Sequence, residues 1–211
     1  MGLGSLALLA ACASPITARV TSFSQWPPNA AGSTFGYISH PNRGNDLEQE
    51  TYQSYVQAEL EKLGLKRAAP GQPGRFQVDM ETGNGRYDTS YREPIYQNTY
   101  FYRPGFRDQA GRVYPGYWGP DVFGPRYVGD RQIIHTVQVS NLRLRLLDSQ
   151  ASTSGAPRTV FESSAVYEGE IADLPNLVPY LVRALFDGFP GQNGKVRVVK
   201  FDSKSGAMIA K

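Results

Sequence analysis

The hydrophobic positions of this chain follow two spacings, one of two residues and one of three to four, and the changes between them mark its elements. Ala18-Arg19-Val20-Thr21-Ser22-Phe23 predicts an extended segment. Trp26-Pro27-Pro28 interrupts it before Ser33-Thr34-Phe35-Gly36-Tyr37-Ile38 resumes as a second β-like run. Tyr52, Val56, Leu60 and Leu63 recur at spacings of four, four and three, which places them on one face of a helix. Asn45 or Asp46 offers its N-cap, and Gly64 closes it as a C-cap. Phe76, Val78 and Met80 then alternate with polar neighbours, as in a half-buried strand, and Gly83-Asn84-Gly85 signals a turn or kink.

Alternation returns after Gln132. Val137 and Val139 occupy one phase, Leu142, Leu144 and Leu146 the other, and the change at Ser140-Asn141 predicts a β-bulge. Arg143 and Arg145 then point away from the leucines. A polar loop from Asp148 to Pro157 leads to a partner strand from Thr159 to Glu168. A second helix opens at Asp173 as N-cap, with Pro175 in its first turn and Gly188 at its end. Its apolar stripe is Leu177, Val178, Leu181, Val182, Leu185 and Phe186. Val196, Val198 and Phe201 make a last strand, and residues 203–211 read as a flexible tail.

The order β-β-α-β-β-β-α-β predicts an α+β fold: a two-layer sandwich, a mostly antiparallel sheet with two helices on one face. One domain spans residues 18–202, with an insertion at about 86–130. That insertion holds eight tyrosines (Tyr87, Tyr91, Tyr96, Tyr100, Tyr102, Tyr114, Tyr117, Tyr127) with Phe101, Phe106, Trp118 and Phe123, and almost no aliphatic residues. It reads as strand at its start and a long aromatic loop at its end. Tyr100, Tyr102, Phe106, Tyr114, Tyr117, Trp118, Phe123 and Tyr127 are the candidate surface for a partner or glycan, because aromatic rings give large amphipathic contact area and stack on sugars. The bland readings are a local mini-core packed on the sheet, or a disordered loop.

The N-terminus follows neither period. Leu3-Gly4-Ser5-Leu6-Ala7-Leu8-Leu9-Ala10-Ala11 is an apolar stretch directly before Cys12. It is too short for a bilayer span, which takes roughly 20 residues, and suits the apolar region of a signal peptide followed by small residues at a cleavage site. Leu9-Ala10-Ala11-Cys12 matches the bacterial lipobox, in which small residues admit the signal peptidase and the cysteine thiol accepts diacylglycerol. The competing reading is an N-terminal core strand with a buried free cysteine. Residues 1–11 are thus expected to be a signal peptide and 12–17 a lipidated tether. No Lys or Arg precedes Arg19, so the true start is expected upstream. Myristoylation at Gly2 is set aside, because Leu6 stands where that motif wants Ser or Thr. Ala13 in place of Asp after the cysteine resembles the signal for delivery to the outer membrane, on its periplasmic face.

Composition adds exclusions. The net charge is +3 with no run of basic residues, so no nucleic-acid footprint is present. Cys12 is the single cysteine, which rules out an intramolecular disulfide and a zinc site of several Cys and His ligands. The two histidines, His40 beside Pro41 and His135 in an expected strand, have no nucleophile motif near them, and no Gly-x-Ser-x-Gly elbow exists. A metal site from His40, His135, Asp121 and Asp130 has no spacing signature. No catalytic residue, cofactor or metal ligand is expected, and the chain is read as not an enzyme.

Four stretches carry a family likeness: Thr34-Phe35-Gly36-Tyr37, the helix end Glu59–Lys66, the strand Leu142–Asp148, and Leu177 to Phe189-Pro190. With them the chain resembles, from about Val20 to Phe201, a family of bacterial lipoproteins known only as domain of unknown function 4136. Tyr167-Glu168-Gly169 departs from the Trp-Arg-Gly that ends the second hairpin strand in members of that family. The resemblance implies an exported α+β lipoprotein of undefined activity and transfers no catalytic residues. Two functions follow: a membrane-anchored, non-enzymatic binding or assembly component of the cell envelope, or an unrecognised envelope hydrolase. An acidic cleft beside His135 would favour the second.

Overall fold

The structure is a computed structural model and describes residues 14–39, 47–69, 71–151, 155–169 and 173–209. It forms two compact units, Met1–Tyr87 with Val137–Lys211, and Asp88–Thr136. The predicted N-caps Asn45 and Asp46, the histidine His40 and the whole of the lipobox lie outside the described residues.

In the first unit β1 (Ile16–Ser24) and β2 (Thr34–Tyr37) precede α1 (Leu47–Lys62), and β3 (Lys66–Arg67) and β4 (Phe76–Gln97), whose last residues belong to the second unit, follow it. After β5 (Tyr100–Arg103), β6 (Phe106–Arg107), β7 (Val113–Tyr114) and β8 (Tyr117–Pro120) of the second unit come β9 (Arg126–Asp148), which begins in that unit, β10 (Arg158–Gly169), α2 (Leu174–Phe186), β11 (Val196–Phe201) and β12 (Met208–Ile209). The sheet order is β12-β11-β1-β10-β9-β4-β2-β3. β1 pairs antiparallel with β10 and β11, β10 with β9 and β11 with β12, whereas β2 pairs parallel with β3 and β4. The expected α+β sandwich is the observed fold.

Both helices bury the stripes that their spacing predicts. Tyr52, Val56 and Leu60 of α1 are buried, with Leu63 half-buried, and α2 buries Leu177, Val178, Leu181, Val182, Leu185 and Phe186. The helices pack on each other, and α2 lies over β1 and β10. Gly64 ends α1 with φ of 82°, donating to Glu61 O at 2.9 Å while Leu65 N–H reaches Leu60 O at 3.1 Å. This pair of bonds satisfies two orphan carbonyls and folds Leu65 back onto the helix. Asp173 occupies the N-cap of α2, but its side chain makes no capping bond.

On the sheet, Ala18, Val20, Leu142, Leu144, Leu146, Phe76, Val78, Val199 and Phe201 are buried. Two local expectations need correction. The register of β9 on β10 runs unbroken through Tyr167↔Ser140 and Val166↔Asn141, so no bulge stands there; the irregularity lies between Thr159 and Phe161. Val137 and Val139 therefore share the outer face with Arg143 and Arg145, because alternation continues without an extra residue. Val196 and Val198 also turn outward, 52% and 45% exposed, while Val199 and Phe201 face the core. Residues 203–211 contain a strand, since Phe201↔Met208 and Lys200↔Ile209 pair β11 with β12.

The outer face is not uniformly solvated. Asp79 on β4 is only 5% exposed and pairs with Arg145, which also reaches Glu81 at 3.2 Å. At the end of β9 the Asp148 side chain, 1% exposed, takes two bonds from Arg75: Nε to Oδ1 at 3.1 Å and Nη2 to Oδ2 at 2.8 Å. Arg75 also donates to Asn29 O, Asn29 Oδ1 and Ser33 Oγ at 2.8, 3.0 and 3.1 Å. It thereby ties the β1–β2 connection to the end of β9. Burial by itself would raise the Asp148 carboxyl, but the Arg75 bonds and charge and the Gln150 N–H together hold it below the usual carboxylate value.

Candidate functional site

Where a long loop was expected after residue 104, the second unit carries short paired strands. Aromatic residues suit extended backbone, and here they pair across Gly- and Pro-rich turns. β5 (Tyr100–Arg103) pairs antiparallel with β8 (Tyr117–Pro120), and β6 (Phe106–Arg107) with β7 (Val113–Tyr114). Asp108 closes the β6–β7 turn, its carboxylate accepting from the Arg112 backbone N–H at 2.9 Å.

Residues directly opposite in an antiparallel pair share a face, as do residues two apart. Tyr102 lies opposite Trp118, and Tyr100 opposite Pro120, so Tyr100, Tyr102 and Trp118 share one face of the β5–β8 ribbon. The Tyr102 and Trp118 rings are 5.8 Å apart and tilted. Phe101 and Tyr117 share the other face, each beneath a guanidinium: Arg126 is 5.2 Å from the Phe101 centroid and Arg103 is 6.0 Å from that of Tyr117. Phe106 stacks on Tyr114 at 4.8 Å, and Tyr96 meets Tyr127 edge-on at 6.1 Å.

The candidate residues are open to solvent. Exposure runs from 41% at Tyr114 to 69% at Trp118 and 89% at Phe123, with Tyr100, Tyr102, Phe106, Tyr117 and Tyr127 between 55% and 63%. They touch in pairs and do not enclose a core. Phe123 sits on a turn organised by Asp121, which accepts from the Phe123 N–H at 3.1 Å and from Arg126 Nε at 3.0 Å. The Phe123 N–H first, and then Arg126, hold the Asp121 carboxyl below its usual value. A hydrogen bond to Asp130 raises the Tyr127 hydroxyl. Amphipathic ring faces flanked by arginine donors can stack on a sugar or cover an apolar protein patch. The sequence reading missed Phe101, Arg103, Arg126 and Tyr96 as parts of this arrangement. A strand whose two faces are both aromatic shows no polar alternation to find.

Cys12, the expected lipidation site, lies outside the described residues. His135 is half-buried on β9. Among the described residues no group of three or more His, Cys, Asp or Glu is placed to hold a metal, and no helix is long and apolar enough to cross a membrane.

The sequence model of the family described as "Domain of unknown function (DUF4136)" matches residues 19–191. The chain belongs to this DUF4136 family. No curated protein matches the DUF4136 chain. Among solved structures it is similar to a PDZ domain protein from Parabacteroides distasonis, at 12% identity and a TM-score of 0.48, over 88% of this chain and 39% of that one. The chain thus spans well under half the length of that relative. It is also similar to PelC dodecamers from Paraburkholderia phytofirmans. For a point variant of PelC identity is 12% and the TM-score 0.34, over 80% of this chain and 94% of that one. For PelC in a second crystal form they are 11% and 0.36, over 83% and 99%.

Proposed function

We propose that the protein is an exported lipoprotein, held on the periplasmic face of the outer membrane by a diacylglycerol on Cys12. Its folded part is a non-enzymatic binding or assembly component of the cell envelope. The observation that carries the binding reading is the exposure of the aromatic rings on β5–β8 and the adjoining turn. Moving a phenylalanine from water into a packed site is worth about 1.5–3 kcal/mol, and a chain that leaves Phe123, Trp118 and Phe106 exposed forgoes that stabilisation several times over. Clustered exposed apolar surface marks an interaction site. Tyrosine and tryptophan lose little side-chain entropy when they are covered, and their faces suit glycan rings or an apolar partner. The anchor is supported by Leu9-Ala10-Ala11-Cys12 and by the lack of any other cysteine.

Two experiments test this. Cells fed labelled palmitate incorporate the label into the protein, and Cys12→Ser abolishes it; label retained by Cys12→Ser removes the anchor. In detergent extracts of cells crosslinked before lysis, the protein is pulled down with a partner, and Tyr102→Ala with Trp118→Ala loses that partner without lowering Tm by more than a few degrees. Undiminished capture of the partner by that double variant removes the binding surface.

A further inference from the structure

Arg75 and Arg197 of the first unit have side chains only 11% and 12% exposed, and they are satisfied to very different degrees. A guanidinium carries five N–H donors. Arg75 engages acceptors from Nε, Nη1 and Nη2 alike. Arg197, on β11, has a side chain only 12% exposed, yet within the described residues it makes one hydrogen bond, from Nη2 to Ser22 Oγ at 3.3 Å. Its Nε is buried with no acceptor. Asp187 Oδ2 lies 4.0 Å from Nη1, beyond hydrogen-bond reach. Buried donors left unmade are costly and rare in native proteins, so this guanidinium calls for an explanation that Arg75 does not.

Its surroundings offer one. The connection from α2 to β11 forms, with β11, an open-sided cavity of about 670 Å³ lined by Asp187, Gly188, Gly191, Lys195 and Arg197 among others. Small-molecule sites span about 300–1,000 Å³. A Cβ at Gly188 would stand 3.1 Å from Arg197 Nη1, and one at Gly191 would stand 2.8 Å from Ser22 Oγ. With glycine at both positions, neither residue sets a Cβ against the guanidinium or Ser22 Oγ. Lys195 is exposed on the same wall, so two cations face one carboxylate.

We propose that this cavity binds a small ligand through a carboxylate, with Arg197 as its anchor and Lys195 as a second cation. Two carboxylate oxygens match the parallel N–H pair that a guanidinium presents. They would take up Nη1 and the remaining capacity of Nη2, since Nε is sealed from solvent. Asp187 opposes the ligand by charge. An acidic sugar or an acidic amino-acid derivative supplies the same group. This site lies in the first unit and is independent of the aromatic surface.

The test is an NMR titration of the full-length, isotope-labelled chain with D-glucuronate and with N-acetylglycine. D-glucose and N-acetylglycinamide are the uncharged counterparts. The backbone amides of Gly188 and Gly191 and the Arg197 Nε–H should shift saturably with at least one carboxylate and with neither neutral compound. Whichever carboxylate saturates first identifies the source. Arg197→Gln should weaken binding about tenfold or more, since it removes a buried charged donor. Lys195→Gln, an exposed change that spares the core, should weaken it about threefold, and Asp187→Asn should tighten it by a similar factor. The Lys195 and Asp187 variants keep the test decisive if Arg197→Gln does not fold. The site is refuted if no saturable shift occurs up to about 50 mM, if the neutral compounds act equally, or if binding is indifferent to Lys195→Gln and Asp187→Asn.

Discussion

Removing Arg75 should be among the most damaging single changes in the first unit. Arg75→Ala deletes both bonds to Asp148 and the bonds to Asn29 and Ser33, along with a guanidinium 4.9 Å over the Phe76 ring. It leaves a carboxylate that is 1% exposed without its counter-charge. Breaking a buried pair by removing one partner costs about 3–5 kcal/mol, a large share of a stability of about 5–15 kcal/mol. The pH dependence has a definite sign. Asp148 is held below its unfolded value, so its contribution is complete above the unfolded pKa of about 3.9 and fades as pH falls through the lower folded value. The gap between wild type and Arg75→Ala should therefore be widest near neutrality and should narrow below about pH 4. Urea melts at pH 7 and pH 3 measure both effects. Trp26 is a suitable probe, because it stacks on Phe76 at 4.9 Å and meets Phe189 edge-on. Adding Asp148→Ala should cost much less than the sum of the single changes. A loss under about 1 kcal/mol at pH 7, the worth of an exposed pair, would refute the reasoning.

Three further outcomes follow from the packing. Leu60→Ala and Leu181→Ala should each cost about 2–5 kcal/mol in denaturant melts, and Arg143→Ala, whose partner Glu162 is partly exposed, well under about 1 kcal/mol. Arg145→Ala should fall clearly above Arg143→Ala, because Asp79 is buried; equal values would mean that Asp79 is solvated in solution. Replacing residues 99–125 by an Asn-Gly turn, which suits a hairpin, should leave the melting temperature of the first unit within a few degrees, and a collapse of the fold would make the aromatic rings part of its core.

The helices and the sheet were legible because their buried faces keep a strict period over enough residues. Tyr52, Val56 and Leu60 lie on one stripe, and α2 repeats the pattern more densely. The same logic failed at Ser140-Asn141. Val137 and Val139 are half-buried on the outer face, so a valine pair on the wrong phase imitated a bulge. The strand at Val196, Val198 and Phe201 was legible, but not the way it faces, because β-branched side chains suit a strand whichever way they point. Residues 100–120 hid their strands for a different reason, since Tyr100-Phe101-Tyr102 places rings on both faces. The ion pairs were not legible at all. Arg75 and Asp148 are 73 positions apart and meet only because β4 and β9 are sheet neighbours. Nothing local marks Arg145 off from Arg143.

The measurement that bears most directly on the binding account is site-specific photo-crosslinking in intact cells. A benzoylphenylalanine in place of Trp118, 69% exposed beside Tyr102, is compared with one in place of Glu61 on the exposed side of α1. If the aromatic unit is the binding surface, irradiation gives a defined adduct from position 118 and none from position 61, and Tyr102→Ala weakens the adduct. Adducts from position 61 with none from position 118 would contradict the account and move the interaction to the helical layer.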